Sequence, residues 1–215
     1  MDGDVKSVRG SGTAAPQART RRTKASVVDA ARRLFEERGY AATTIEAISE
    51  RSDTPQPTIY RLFDSKLGIL KAVIDVAIVG DDEEVAMADR PVVQALLADS
   101  NPVQQIAGFA ALLRDLMART APVHRLLGDA ARSDADAAAL LAEIARQRQA
   151  GQLRIARSLA RSGALRDGLR ERDAADVIHA LASPEVYGLL VLDREWSAER
   201  YERWIADTLR QQLLP

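Results

Sequence analysis

A short run of side chains from Gln56 to Arg61 combines an amide, a guanidinium and two hydroxyls. The amide of Gln56 can pair with two groups on the edge of adenine, and the guanidinium of Arg61 can do the same on guanine. Pro57 offers an apolar contact for the methyl group of thymine. Thr58 and Tyr60 carry hydroxyls of the kind that hold phosphate oxygens. The run therefore predicts a surface that contacts double-stranded DNA; the alternative is an ordinary solvated helix face.

Further polar side chains on either side of this run could hold the DNA backbone. Thr43 and Lys66 carry hydroxyl or ammonium groups that bind phosphates, and helix starts predicted at Thr44, Pro55 and Lys66 would add backbone amides and a positive dipole end. A basic segment precedes them, and we expect it to enter an adjacent minor groove as a flexible arm. Its residues are Arg19, Arg21, Arg22 and Lys24.

The first elements that must position these side chains are two helices, predicted from caps and apolar spacing. The first should begin near Thr23 or Ser26, which are good caps, and end at Gly39. Thr43 and Glu46 have the spacing of a capping box, in which the Thr43 hydroxyl accepts a hydrogen bond from the amide of Glu46. A second, short helix is therefore predicted to start at this point.

A turn and a third helix are predicted to follow. Residues 52–55 form the turn, where Asp53 tolerates a left-handed conformation better than most side chains. Thr54 should cap the third helix with Pro55 at its first position, and Ser65 should cap a fourth. Two short helices around a four-residue turn are typical of a helix-turn-helix, whose second helix lies in the major groove.

Several motifs in this segment follow one another in a specific order. They are Ala30-Ala31-Arg32-Arg33-Leu34-Phe35 with Gly39-Tyr40, Thr43-Thr44-Ile45 with Ile48, Gln56-Pro57-Thr58-Ile59-Tyr60, and Phe63, Ser65-Lys66 and Leu70. With them, residues 24–79 resemble the DNA-binding domain of the tetracycline-repressor (TetR) family of bacterial transcription regulators. The resemblance implies that Thr44, Tyr60 and Lys66 hold phosphates, while Gln56, Pro57, Thr58 and Arg61 occupy recognition positions. The sequence departs from the family pattern at the turn, Ser52-Asp53-Thr54-Pro55, and at Ser49, where a small apolar residue is usual.

Length and composition predict an all-α protein with two domains. The chain has 215 residues, 47% of them hydrophobic and only 4% aromatic, and no strand pattern is present. We expect a disordered tail over 1–18, the helix-turn-helix domain over 19–80, and a helical effector-binding and dimerisation domain over 81–215. The longer helices of the last domain are predicted at 102–119, 123–132, 135–161, 172–192 with a kink at Pro184, and 197–214.

Charge and residue usage exclude several function classes. Residues 1–80 contain 13 lysines and arginines against 10 acidic residues, whereas the remainder contains 17 against 21, so an anionic partner is expected for one end only. The chain has no cysteine, no metal-ligand spacing and no nucleophile or cofactor motif, so we predict no enzyme activity, metal or cofactor. It has no long apolar run, so we expect a cytoplasmic protein without a membrane partner.

Two apolar stripes near the end of the chain predict a homodimer, in which each pair of helices meets its copy in a four-helix interface. The alternative is that the stripes pack only on their own subunit. The stripe residues are Ile178, Leu181, Ala182, Leu189 and Leu190 on the penultimate helix, and Tyr201, Trp204, Ile205, Thr208 and Leu209 on the last.

A ligand pocket is expected in the middle of the second domain. For its apolar members, ordinary core is the alternative role. The candidate lining residues are Phe109, Leu113, Met117, His124, Leu127, Leu141 and Tyr187. The low aromatic content favours a small hydrophobic effector.

The sequence thus predicts a sequence-specific DNA-binding transcriptional regulator. Its expected form is a homodimeric repressor that a small-molecule effector releases from a palindromic operator. The alternative is a DNA-binding protein of the same fold that is regulated by a protein partner, or by no small ligand.

Overall fold

The computed structural model describes residues 14–80 and 87–215, and every regular element within these ranges is helical. This confirms the predicted all-α fold. The elements are α1 (Ala14–Ala42), α2 (Ile45–Ser52), α3 (Gln56–Phe63), α4 (Lys66–Val79), a 3-10 turn (Met87–Asp89), α5 (Pro91–Ala98), α6 (Pro102–Ala131), α7 (Ala135–Arg161), α8 (Glu171–Leu181), α9 (Pro184–Tyr187), a π-helical turn (Gly188–Leu192) and α10 (Ala198–Leu213).

Helix α1 begins well before the predicted start at Thr23. Residues 14–18, which we predicted to be disordered, are helical, and residues 1–13 of the predicted tail lie outside the described residues. The early start has a local cause, because alanine, glutamine, arginine and lysine are good helix formers and Pro16 falls in the first turn, where its missing amide costs nothing. Regular helical geometry is interrupted at Gly39 (φ 78°, ψ 165°), where we predicted the helix to end.

The buried apolar residues form two clusters. The N-terminal cluster contains residues of α1, α2, α3 and α4, of the second half of α6 and of the start of α7, and includes Phe35, Ile59 and Leu127. The C-terminal cluster joins the first half of α6 and the second half of α7 with α8 to α10, and includes Ile106 and Tyr201. Helices α6 and α7 therefore belong to both clusters.

Helix α6 is continuous through Pro122, where we predicted a break between two helices. Proline inside a helix removes one hydrogen bond and costs about 3 kcal/mol. Its neighbours Ala121 and Val123 are both buried, one in each cluster, so packing on both sides holds the helix together against that cost. Tertiary burial here outweighs the local signal.

The segment from Glu171 to Leu192, predicted as one kinked helix, is interrupted at Ala182 and Ser183. Ser183 caps α9 by accepting a hydrogen bond from the amide of Val186 at 3.2 Å, with Pro184 as the first helical residue. This stretch is long and apolar enough to qualify as a membrane span by composition. Its buried members, however, pack into the C-terminal cluster, as in the core of a soluble protein.

Half of the ten predicted dimer residues are buried inside the subunit. These five have no solvent-exposed surface and pack in the C-terminal cluster. They cannot touch a second copy, so the prediction is wrong for these residues: Ile178, Ala182, Tyr201, Ile205 and Leu209. Leu181, Leu190, Trp204 and Thr208 are half-buried, and Leu189 is 60% exposed. An amphipathic stripe indicates which face of a helix is buried, but not which surface covers it.

Tyr201 provides a test of this packing. Its hydroxyl is buried without a hydrogen-bond partner, and burial raises the pKa of the phenol well above its ordinary value. Because an unpaired buried polar atom is costly, Tyr201→Phe should leave the free energy of unfolding unchanged or raise it by up to about 1 kcal/mol. Tyr201→Ala should lower it by about 3–5 kcal/mol through the cavity it leaves. Urea denaturation followed by circular dichroism measures both; a clear loss of stability in the phenylalanine variant would contradict the unpaired hydroxyl.

Candidate nucleic-acid interface

Helix α3 presents one polar face to solvent. Ile59 and Phe63 lie one turn apart and are buried in the N-terminal cluster. The opposite face is exposed and carries the predicted recognition residues Gln56, Pro57, Tyr60 and Arg61, with Thr58 half-buried at its edge. The structure thus brings the predicted recognition residues together on one exposed surface, and the opposite face of α3 packs against the neighbouring helices.

The start of α3 differs from the prediction. Pro55, not Thr54, occupies the cap position, and Pro57 is the second residue of the helix. The Thr54 side chain is buried and donates to the carbonyl of Ser52 at 3.2 Å. Since no side chain caps α3, its first turn remains open to an external acceptor such as a phosphate oxygen.

The turn between α2 and α3 is held by hydroxyls. Asp53 adopts the predicted left-handed conformation (φ 49°, ψ 40°). The Ser49 hydroxyl donates to the carbonyl of Thr54 at 2.7 Å, while the Thr54 amide donates to the carbonyl of Ser49 at 3.2 Å. From α1, the Ser26 hydroxyl donates to the carbonyl of Ser52 at 3.1 Å. Ser49, which departs from the family pattern, therefore fixes the angle between the two helices.

Ser49→Ala should lower the free energy of unfolding by about 1 kcal/mol, because the carbonyl of Thr54 loses its donor. Glu50→Ala is the matched control, since Glu50 is exposed on the same helix and should change stability by less than about 0.5 kcal/mol. Urea denaturation of both variants measures the difference. Equal stability of the two variants would mean that the serine bridge does not support the turn.

The predicted capping box is displaced by one residue. Thr44 caps α2, its hydroxyl accepting a hydrogen bond from the amide of Ala47 at 3.1 Å. Thr43 is completely buried and its hydroxyl lies 2.8 Å from the carbonyl of Gly39. The prediction that Thr43 contacts phosphate is therefore wrong, whereas Thr44 is exposed and its hydroxyl hydrogen is available to an acceptor.

Lys66 turns inward at the start of α4. Its ammonium donates to the carbonyls of Tyr40 at 2.8 Å, Thr43 at 2.9 Å and Ala41 at 3.4 Å, and lies 4.4 Å from the centre of the Tyr40 ring. Burial lowers the pKa of Lys66, and the negative charge of Asp134 partly offsets this effect. An ammonium has three hydrogens, so these carbonyls engage all of them. Lys66 thus closes the junction between α1 and α2.

The basic segment before the helix-turn-helix is helical. Arg19, Arg21, Arg22 and Lys24 are exposed on α1, so the predicted flexible arm is wrong over these residues. A helix about 10 Å across is too wide for the minor groove, which is about 6 Å wide. The four charges remain available to phosphates, whose contact does not require an extended chain.

The seven predicted ligand-pocket residues occupy two kinds of position. His124 and Leu141 border an open groove between α6 and α7, which continues to Arg148 and Glu185. The other five do not border this groove and are packed in the buried clusters: Phe109, Leu113, Met117 and Tyr187 in the C-terminal cluster and Leu127 in the N-terminal cluster.

Comparison with known sequences matches the N-terminal part of the chain to one family. Residues 27–73 match the sequence model of the bacterial regulatory proteins of the tetR family. A curated relative, the uncharacterized HTH-type transcriptional regulator YvkB of Bacillus subtilis (strain 168), is 37% identical over 54 residues. This match spans 25% of the chain and 29% of the relative.

Solved structures share the fold over most of the chain. SmeT in complex with triclosan has a TM-score of 0.68 and 22% identity, over 90% of this chain and 92% of that one. SmeT is described as the repressor of the Stenotrophomonas maltophilia multidrug efflux pump SmeDEF. NalD, the secondary repressor of the MexAB-OprM pump in Pseudomonas aeruginosa, has a TM-score of 0.66 and 16% identity, over 92% and 98% of the two chains.

At these identities the likeness to SmeT and NalD establishes the fold. The family model matches residues 27–73, which contain the turn between α2 and α3 and the exposed face of α3. Over residues 27–73, the chain is similar to the bacterial regulatory proteins of the tetR family.

Proposed function

We propose that the chain is a sequence-specific DNA-binding transcriptional regulator that acts as a homodimeric repressor on a palindromic operator and is released by a small-molecule effector. The observation that carries this proposal is the exposed face of α3, where Gln56, Pro57, Tyr60 and Arg61 stand on a buried framework. An α-helix fits the major groove, and an amide with a guanidinium near its N-terminus can discriminate base pairs.

Different residues on this surface have different roles in the proposal. Gln56 and Arg61 read base edges, while Thr44 and Tyr60 hold phosphates and set the position of α3 on the duplex. Tyr60 is 49% exposed, so its ring and hydroxyl are available without any change in the core. The exposed arginines of α1 add attraction that does not depend on sequence.

The homodimer of this proposal uses the surface that the subunit leaves uncovered near its end. Leu189 is 60% exposed and Leu192 is 39% exposed, and the half-buried Leu190 lies between them. These leucines lie within one π-helical turn, and a contiguous exposed apolar patch marks a protein–protein contact. A two-fold pair would place two copies of α3 about 34–36 Å apart, the spacing of successive major grooves.

Release by an effector requires that the second domain influence the position of the first. Helices α6 and α7 pack in both clusters, so a shift between them reaches the support of the helix-turn-helix. A ligand can act in this way only if it prefers one of the two arrangements. A regulator of the same fold without a small effector is the second candidate, favoured by the five predicted pocket residues that are packed as core.

Selection of binding sequences from random DNA duplexes tests the proposal with the purified protein. We expect enrichment of two inverted half-sites centred about 34–36 Å apart, or a multiple of this distance. Enrichment of a single unsymmetric site would contradict the homodimer. No enrichment at moderate salt, with the helical fold verified by circular dichroism, would contradict sequence-specific DNA binding. Titration of the operator complex with candidate metabolites then separates the effector model from the second candidate.

A further inference from the structure

An open groove of about 530 Å³ lies between the second half of α6 and the first half of α7. Its lining is mostly apolar, with small side chains such as Ala138 and Ala142 and the larger Leu141 of α7, and it also contains the charged Arg132, Arg148 and Glu185. A groove of this size accommodates a small organic molecule, and the small side chains favour a slim apolar one.

One end of the groove carries a half-buried cation, Arg148 of α7. One terminal nitrogen of Arg148 donates to the carbonyl of Ala182 and the other to Nε2 of His179, each at a long 3.4 Å. The Nε atom of Arg148 is buried and has no hydrogen-bond partner. None of the carboxylates in the described part of the chain forms an ion pair with this guanidinium, although Glu185 also borders the groove.

The neighbours of Arg148 supply only part of the missing negative charge: burial lowers the pKa of Arg148, and the charge of Glu185 offsets this effect only partly. Burial lowers the pKa of His124 and of His179, so both rings are neutral near pH 7. The Glu185 side chain is 63% exposed and lies 3.8 Å from Nδ1 of His124, so its charge remains in contact with water. A guanidinium has five N–H donors, and the contacts to Ala182 and His179 engage one on each terminal nitrogen. The remaining terminal N–H groups can donate two parallel hydrogen bonds to a carboxylate.

We propose that this groove binds a small organic carboxylate with a slim apolar body, its carboxylate on Arg148 and its chain between α6 and α7. The inference rests on the proposed function, in which this ligand is the effector. The adjacent face of the same part of α6 carries Val123, Leu127 and Ala130, which pack in the N-terminal cluster with α1 and α4. A ligand that separates α6 from α7 therefore displaces the support of the DNA-reading surface.

Calorimetric titration with octanoate tests the site, with octylammonium and octan-1-ol as probes of equal chain length. Octanoate should bind at least about tenfold more tightly than either. Arg148→Met should weaken octanoate binding at least about tenfold, because the methionine keeps the apolar stem and removes the charge. The matched control is Arg146→Met on the same helix, which removes an exposed arginine paired with Glu143 and should change the affinity by less than about twofold.

If circular dichroism shows that Arg148→Met does not fold, Ala142→Phe replaces it, because the ring fills the groove and leaves every charge in place. This variant should also weaken octanoate binding at least about tenfold. The proposal is overturned if octylammonium binds more tightly than octanoate, if the Arg148 and Arg146 variants bind octanoate alike, or if the folded protein binds no octanoate at about 1 mM.

A gel-shift assay on the selected operator separates failure of the site from failure of the proposed function. Release of DNA by octanoate, lost in the groove variants, supports both. Octanoate binding that leaves operator affinity unchanged keeps the site and contradicts the effector role. If the protein binds the operator but not octanoate, the proposed carboxylate site is contradicted and the proposed DNA-binding function is supported.

Discussion

Replacing Lys66 with methionine should lower the free energy of unfolding by about 2–3 kcal/mol, because hydrogen bonds from a charged group are stronger than neutral ones. The substitution removes the ammonium that holds the carbonyls of Tyr40, Ala41 and Thr43, and leaves the apolar stem of the side chain in place. The junction of α1 and α2 would then lack the group that ties it to α4. Urea denaturation followed by circular dichroism measures the loss.

Lys71→Met is the control for this experiment. Lys71 is exposed and pairs only with Asp75 on the same helix, so its loss should change stability by less than about 0.5 kcal/mol. Because the hydrogens of Lys66 are engaged inside the protein, the salt dependence of operator binding should be unchanged in folded Lys66→Met. A decrease of about one in the slope of log affinity against log salt would instead reveal a phosphate contact, as the family resemblance implies.

Replacing Gln56 or Arg61 with alanine should each weaken operator binding by about 1–3 kcal/mol and relax the preference at particular base pairs. Both side chains are exposed, so the free energy of unfolding should change little. Fluorescence anisotropy on the selected operator and on single-base variants of it measures the affinity and the altered preference.

Tyr60→Phe is the comparison for these two variants. It removes a hydroxyl assigned to phosphate and keeps the ring, so it should weaken binding to all sequences by a similar factor. If the Gln56 and Tyr60 variants lose affinity in the same pattern across operator sequences, the division between base reading and backbone contact is wrong.

The sequence was a reliable guide wherever a local signal decided the structure. Ser65 caps α4 and Ser197 caps α10, each through its side-chain hydroxyl, and α7 spans Ala135–Arg161 as predicted. The exposed face of α3 also followed from helical spacing, since Ile59 and Phe63 must point inward. In these places the residue type and its immediate neighbours are sufficient to determine the local structure.

Predictions were wrong where contacts between residues far apart in the sequence determined the structure. Pro122 stays helical because both core clusters bury its neighbours, and no local pattern contains that information. The stripe through Tyr201 and Ile205 is covered by the subunit's own helices, although its spacing suits a dimer equally well. Lys66 matches a position that the family uses for phosphate, but the acceptors of its hydrogen bonds lie more than twenty residues earlier in the chain.

Shared packing of α6 and α7 also limits how the molecule could be divided in the laboratory. A fragment that ends at Val79 would expose the apolar faces of α1 and α4 to solvent. In the intact chain these faces are covered by residues of α6 and α7, namely Val123, Leu127, Ala130 and Ala137. A chimaeric protein that contains α1, α2, α3 and α4 of this chain would therefore also need its helices α6 and α7. The natural unit of exchange is therefore discontinuous in sequence.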